Sequence, residues 1–361
     1  MEHTTIAVDL AKSVFQIAVS HKAGRVDAER RLSRDRFLEY LAQQPPATVL
    51  FEACGSAHYW ARRLQPFGHT VRLLPAHDVH RYVRRNKTDQ TDAKAILEAG
   101  RNEEIHAVPV KTVDHQAIAS LHRLRSTWLA TRTARLNTVR GLLREFGITI
   151  PVGAQHVVPR VRTLLGDSAD VPDLLRPSLA SACDEIETIE THMRAVERQL
   201  TTLARQRDDI RLLQTVPGVG LLTATALVAL VGDIRRFPSS RQFASFLGLT
   251  PREESSAYRR QLGAISKQGD VYLRMLLIHG ARAVLVHAKR AGQVTAFQLW
   301  ARATQARRGH NVATVAVANK IARIIWAVWV HQRPFAADYR DAGTQRPSIT
   351  SSLQEDCIEL N

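Results

Sequence analysis

Short apolar runs separated by polar turns dominate the first hundred residues. Thr5 to Asp9 (TIAVD) and Val14 to Val19 (VFQIAV) read as strands, and Lys22-Ala-Gly-Arg25 turns the chain into a third, polar-alternating strand from Val26 to Leu32. The three form a β-meander. A helix is expected after Ser33, and Pro45-Pro46 then interrupts the chain ahead of Thr48 to Glu52, a strand of the buried type. His58 to Leu64 follows as a helix, Val71 to Leu74 as a strand and Asp89 to Ala99 as a helix. That order predicts an α/β domain over residues 1–108.

The pattern changes between Val113 and Phe146. Leu121, Leu124, Trp128, Leu136, Val139, Leu143 and Phe146 recur at helical intervals, with Arg123, Arg125, Arg132, Arg135, Arg140 and Arg144 between them. A second long helix around Asp184 to Gln206 would complete an antiparallel coiled-coil hairpin, so residues 109–208 read as a helical connector. Pro151 to Pro177, with its prolines, is expected to be irregular. The hairpin serves dimerisation or spacing by default, and DNA contact is the sharper possibility. Residues 209–335 are mainly helical, with breaks at Pro217-Gly-Val-Gly220, Gly232, Pro238 and Gly248, and residues 336–361 read as a polar, flexible tail.

Charge narrows the choice of partner. The chain has 361 residues, 45% of them hydrophobic, enough for more than one core. Its 50 Lys and Arg outnumber 34 Asp and Glu, giving +16. An excess spread along the whole chain favours a polyanion such as nucleic acid over a membrane surface, although charge alone does not exclude a merely basic protein. Cys54, Cys183 and Cys357 are far apart and lack zinc-site spacing, as expected of reduced thiols. With no secretory signal and no apolar run approaching a membrane span, a cytosolic protein without a membrane partner is expected.

Asp9 and Glu52 each end an apolar strand, which puts both at one rim if those strands are neighbours. Asp89 and Asp92, from Lys87-Thr-Asp-Gln-Thr-Asp-Ala-Lys94, share a face at a helix start. Four converging carboxylates repel unless cations neutralise them. Hard oxygen donors suit Mg²⁺, with Mn²⁺ as a substitute, and two ions roughly 3.5–4 Å apart activate an attacking oxygen and stabilise a leaving one. Taken alone, Asp89 is better read as a helix N-terminal acid. Asp9 and Glu52 end buried-type strands and so need solvent, a partner or a metal. His58, His69, His77 and His80 match no standard zinc spacing.

Two stretches of the C-terminal region carry further chemistry. In Val216-Pro-Gly-Val-Gly220, Gly218 and Gly220 belong to a turn that presents backbone N–H groups to a phosphate in helix-hairpin-helix elements, and that elsewhere joins helices with no ligand. In Leu247-Gly-Leu-Thr-Pro-Arg-Glu-Glu-Ser-Ser-Ala-Tyr-Arg-Arg-Gln-Leu-Gly-Ala-Ile-Ser-Lys-Gln-Gly-Asp270, two serines lie in a loop among Arg252, Arg259, Arg260 and Lys267. Such cations can hold a phosphodiester for a hydroxyl, yet paired loop serines are more often solvated or capping.

Asp9 in IAVDLAK, Glu52 in LFEACG and the pair in NKTDQTDAKA resemble, in order and spacing, the DEDD motif of the IS110 insertion-sequence family. GLTPREESS, LGAISKQGD and the closing Ala316-to-Trp326 helix resemble that family's transposase domain, so the likeness spans roughly residues 4 to 332. It implies a RuvC-like (RNase H-like) N-terminal domain, a coiled-coil connector and a mainly α serine domain. Asp9, Glu52, Asp89 and Asp92 would hold Mg²⁺. Spacing to Gly263 and Ile265-Ser-Lys267 selects Ser256 as the nucleophile that becomes joined to DNA. Ala257-Tyr258 stands where the family has glycines, and Ser255 remains the second candidate. Arg252, Arg259, Arg260 and Lys267 would clamp phosphates. The resemblance also implies a non-coding bridge RNA as guide and a homo-oligomer, dimer or tetramer, whose sites combine carboxylates and serine from different subunits. Two rivals stand beside it. One is a junction resolvase or nuclease that uses water, and the other is a non-catalytic nucleic-acid-binding relative.

Overall fold

The computed structural model describes residues 4–22, 24–83, 89–167, 170–256, 259–290 and 295–336. The chain divides into two compact units, Met1–Leu203 with Thr225–Arg236, and Ala204–Ala224 with Phe237–Asn361. This division keeps residues 109–203 with the sheet. Apart from Ala336, the tail lies outside the described residues.

The first unit is built on β1 (Thr5–Leu10), β2 (Val14–Ser20), β3 (Ala28–Ser33), β4 (Thr48–Glu52) and β5 (Thr70–Leu74), in the order β3-β2-β1-β4-β5. The meander strands pair antiparallel, whereas β1 with β4 and β4 with β5 pair parallel. Helices α1 (Arg34–Ala42), α2 (Ala57–Leu64), α3 (Ala76–His80) and α4 (Asp89–Arg101) complete the layers. Alternation sorts the strand side chains. Ile6, Val8, Phe15, Ile17, Val49 and Phe51 pack with Phe37, Leu41, Trp60 and Leu64 of α1 and α2. Ala7, Leu50 and Leu74 pack with Ala95, Ile96 and Ala99 of α4. Phe15, Phe37 and Trp60 meet edge-to-face, with ring centroids 4.9–5.3 Å apart. His69, buried, accepts from the Ala47 N–H at 3.2 Å and donates through Nε2 to the Leu41 carbonyl at 2.9 Å, tying the ends of α1, β4 and β5.

The long helices of this unit are α5 (Val113–Glu145) and α7 (Arg176–Gln206), with α6 (Val157–Asp167) between them. Arg125, Arg132 and Arg135 pair with Glu197, Glu190 and Glu185 at 2.7, 2.6 and 2.8 Å, so α5 and α7 run antiparallel. The stretch expected to be irregular contains α6. Pro159 and Pro177 fall in the first turns of α6 and α7, where a missing N–H has no intrahelical partner to lose. Val157, Val161 and Leu164 are buried against Leu136, Val139 and Leu143 of α5 and Cys183 and Ile186 of α7, which supplies the drive for α6.

The second unit contains α8 (Asp208–Gln214), the first turn of α9 (Leu221–Val231), α10 (Ser240–Phe246), a hairpin of β6 (Pro251–Glu253) and β7 (Leu262–Ile265), α11 (Val271–Arg290), α12 (Ala296–Arg308) and α13 (His310–His331). Helix α13 is its core, with Val317, Ile321, Ile325 and Val328 buried. Helices α11 and α13 are each long and apolar enough to cross a membrane by length and composition, a test that core helices also pass, which corrects the expectation that no apolar run approaches that length. In the structure 61% of the α13 window is buried, as the central helix of a protein core requires.

Two histidines couple the first unit to pH. Burial, followed by the charge of Arg125, holds His122 at about 4, and its Nε2 is 3.0 Å from Thr225 Oγ1. Burial, with Lys111 and Arg62, holds His58 at about 4 as well, while its Nδ1 accepts the Lys111 N–H at 3.2 Å. Both values lie below the usual 6.5, so the fold favours neutral imidazoles. The unfolded chain takes up protons between pH 6.5 and about 4 that the folded chain refuses, and stability present above that window is lost as pH falls through it. For His122 the loss amounts to at most ~3 kcal/mol. Thermal unfolding followed by circular dichroism is expected to give a Tm that drops across this window, less steeply in His122→Gln; identical slopes would refute the assignment.

Candidate active site

The parallel register of β1 on β4 carries Val8 opposite Phe51, and Asp9 and Glu52 are the next residues along each strand. Both are half-buried, at the same edge of the sheet. Burial, and then the carboxylates of Glu52 and Asp9, push the Cys54 thiol up from its ordinary range, so both charges are felt at one point on that edge. Helix α4 packs against the sheet through Ala95 and Ile96, and on it the Asp92 Oδ1 is buried without a hydrogen-bond partner among the described residues. An orphaned buried carboxylate oxygen requires a partner of some kind, and a hard cation suits it. Asp89 opens α4, but its side chain lies outside the described residues. Among the described residues no three His, Cys, Asp or Glu side chains gather closely enough to hold a metal. The structure thus brings Asp9 and Glu52 together and does not close Asp92 around them.

The serines occupy a hairpin where a plain loop was expected. Beyond β6 and β7 the ladder continues through Glu254 N–H to Gln261 O at 2.9 Å and through reciprocal bonds of Ser256 with Arg259 at 3.2 and 3.0 Å. Its described residues from Pro251 to Ala264 are exposed, which deprives the segment of the apolar alternation that marks strands in a sequence. Ser255 Oγ donates to Glu253 Oε1 at 2.8 Å and accepts the Gln261 N–H at 3.2 Å. Ser256 is exposed, and among the described residues its hydroxyl has no hydrogen-bond partner. Ala257 and Tyr258 lie outside the described residues. Arg260 Nε donates to Glu253 at 3.1 Å, Arg252 donates to the Ser266 carbonyl at 3.3 Å, and Arg259 is exposed.

Lys267, also exposed, stands at φ 56°, a left-handed conformation rare for a residue with a Cβ, and its N–H reaches Gly248 O at 3.2 Å. Gly218 abuts α11, where a Cβ on Gly280 would sit 2.1 Å from the Gly218 carbonyl, so close packing accounts for this glycine. Gly220 precedes α9 in open space.

Two family models match this chain. One, described as a transposase and of the DEDD type of IS110, covers residues 6–148 and so all four carboxylates. The other, described as the transposase IS116/IS110/IS902 family, covers residues 210–297 and so both serines. A protein of Pseudomonas aeruginosa named a probable family 20 transposase is 43% identical over 330 residues, 91% of this chain and 97% of the relative. The transposase for insertion sequence element IS1111A of Coxiella burnetii is 38% identical over 331 residues, 91% of this chain and 90% of the relative. That for IS1328 of Yersinia enterocolitica is 35% identical over 332 residues, 90% and 96% of the two chains.

The chain belongs to the IS116/IS110/IS902 transposase family. It is therefore an insertion-sequence transposase, an enzyme that recombines DNA, and DNA is its partner.

Two residues of this transposase escaped the sequence reading. Glu253 holds both Ser255 and Arg260, and the only hint of it was an acid placed seven residues before an arginine. Arg274, nearly buried, donates through one terminal nitrogen to the Leu247 carbonyl at 3.2 Å and the Gln268 carbonyl at 2.8 Å, clamping the loops at both ends of the hairpin. Gly248 makes that approach possible. It has φ 70°, and a Cβ there would lie 2.1 Å from the Gln268 carbonyl oxygen. Gly248→Ala is expected to destabilise the second unit by roughly 2–4 kcal/mol from overpacking and left-handed strain, measured by denaturant unfolding; a loss near zero would show that the loops part freely.

Proposed function

We propose that this transposase cuts and rejoins DNA with Ser256 as nucleophile and a Mg²⁺ site formed by Asp9, Glu52, Asp89 and Asp92, on a RuvC-like sheet domain spanning residues 1–108. The contrast between the two serines carries the reading. The Ser255 hydroxyl is committed twice within the hairpin, whereas the Ser256 hydroxyl is exposed and unengaged among the described residues. Ser256 Oγ attacks the scissile phosphorus, forming a serine phosphodiester as the bond to the departing deoxyribose oxygen breaks. The hydroxyl proton passes to solvent and that oxygen gains one.

Arg259, paired with Ser256 through the main chain, and Arg252 and Lys267 toward the base of the hairpin are exposed, and their charge suits a phosphate clamp. Arg260 uses only Nε toward Glu253, leaving its terminal amino groups for the same task. The turn at Gly218 and Gly220 offers the backbone N–H groups that open α9 to a DNA backbone. Bound Mg²⁺, or Mn²⁺, would polarise the phosphate and stabilise the leaving oxygen. The all-oxygen donor set and the orphaned Asp92 Oδ1 support that occupant.

The resemblance to the IS110 family supports the rest of the picture. Carboxylates and serine belong to separate units, residues 109–208 and 209–335 serve as connector and serine domain, and a homo-oligomer, dimer or tetramer, in the cytoplasm assembles the site. A non-coding bridge RNA selects the DNA by base pairing, for which the +16 charge provides attraction.

Full-length protein expressed with a plasmid carrying its own element and flanking DNA is expected to yield a denaturant-resistant protein–DNA adduct in Mg²⁺. Ser256→Ala should form none, and Asp92→Asn should lower the rate at least ~100-fold, since loss of outer-shell partners alone costs 10–100-fold. An adduct of normal yield from the Ser255/Ser256 double variant would sink the nucleophile. Cleavage without any adduct would favour a water-using nuclease.

A further inference from the structure

The hairpin contains a side-chain latch whose geometry bears on the same reaction. Glu253 Oε1 accepts from Ser255 Oγ at 2.8 Å and from Arg260 Nε at 3.1 Å, and Ser255 Oγ in turn accepts the Gln261 N–H at 3.2 Å. One carboxylate oxygen and one hydroxyl therefore fasten the strand that leads into Ser256 to the strand that returns from it. Main-chain rungs lie on either side, at Glu254 with Gln261 and at Ser256 with Arg259. At the level of Ser255 the cross-strand fastening consists of the side chains just named. Adjacent residues of an extended chain face opposite ways, so Glu253 and Ser255 share a face and Ser256 takes the other.

We propose that Glu253 and Ser255 are positioning residues of the transposase, holding the hairpin so that the neighbouring Ser256 hydroxyl is presented to the scissile phosphate in a fixed direction. This inference rests on Ser256 being the attacking group. Two alternative duties for the pair fit the structure less well. As a stabilising ion pair, Glu253 and Arg260 are both exposed, where such pairs contribute little to folding. As a serine–base dyad making Ser255 the nucleophile, the carboxylate is poorly suited. Hydrogen bonds from Ser255 and Arg260, together with the Arg260 charge, hold Glu253 below the usual carboxylate range, which weakens it as a proton acceptor. What remains is geometry, and displacement of a reacting atom by about 1 Å costs ~10²-fold in rate.

The test compares Ser255→Ala, Ser255→Thr, Glu253→Ala and Ser256→Ala in the full chain. The rate of adduct formation is read on the plasmid-borne element, and affinity is read separately on a plain duplex. Ser255→Ala and Glu253→Ala are expected to slow adduct formation by about 10–100-fold with duplex affinity unchanged, and Ser255→Thr, which keeps the hydroxyl, to restore most of the rate. Wild-type rates in Ser255→Ala and Glu253→Ala beside a null Ser256→Ala would overturn the latch and leave the nucleophile standing. Loss of all adduct in Ser255→Ala while Ser256→Ala still forms it would defeat both readings, because Ser255 would then be the attacking residue.

Discussion

The parallel pairing of β1 with β4 is the constraint on which the first unit depends. Both strands are covered on two faces, Ile6 and Val8 toward one layer of helices and Ala7 and Leu50 toward the other. A slip of one residue would send every one of these side chains to the wrong layer, so burial fixes the register. That register in turn fixes Asp9 beside Glu52 at the carboxyl edge. The core thus specifies two acids at one edge of the sheet, and there burial first, then the charges of Glu52 and Asp9, raise the Cys54 thiol.

In the second unit, close backbone approach takes the place of sheet register. Gly248 lies against Gln268, and a Cβ on Gly269 would meet the Phe246 carbonyl at 1.9 Å. Arg274 binds the carbonyls of Leu247 and Gln268 on the two segments so joined. The exposed hairpin stands on this knot, so a polar loop with little core of its own still has a defined base.

Charge is less freely available than the total implies. Arg125, Arg132 and Arg135 suggested a DNA-contacting helix face, but each is paired with a glutamate of α7. Arg140 is bound to the carbonyls of Pro151 and Gly153. These residues act first as fasteners of the hairpin. Around the serines the balance differs, for Glu253 is the one acid found bonded to the hairpin's arginines among the described residues, and it engages only Arg260.

By itself the sequence determined the alternating strands, the helix capped by Ser33, the acids at strand ends and the family to which the chain belongs, because these are written in local periodicity and in motif spacing. It misjudged α6, since Pro159 reads as a breaker until its place in a first turn is known, and it missed the hairpin, since exposed strands carry no apolar signal. Only the tertiary structure decided that Asp9 and Glu52 share an edge and that, among the described residues, an Asp92 oxygen is orphaned and the Ser255 hydroxyl is engaged while the Ser256 hydroxyl is not. These are relations between residues brought together by pairing and packing, and no local pattern encodes which hydroxyl a distant turn will occupy.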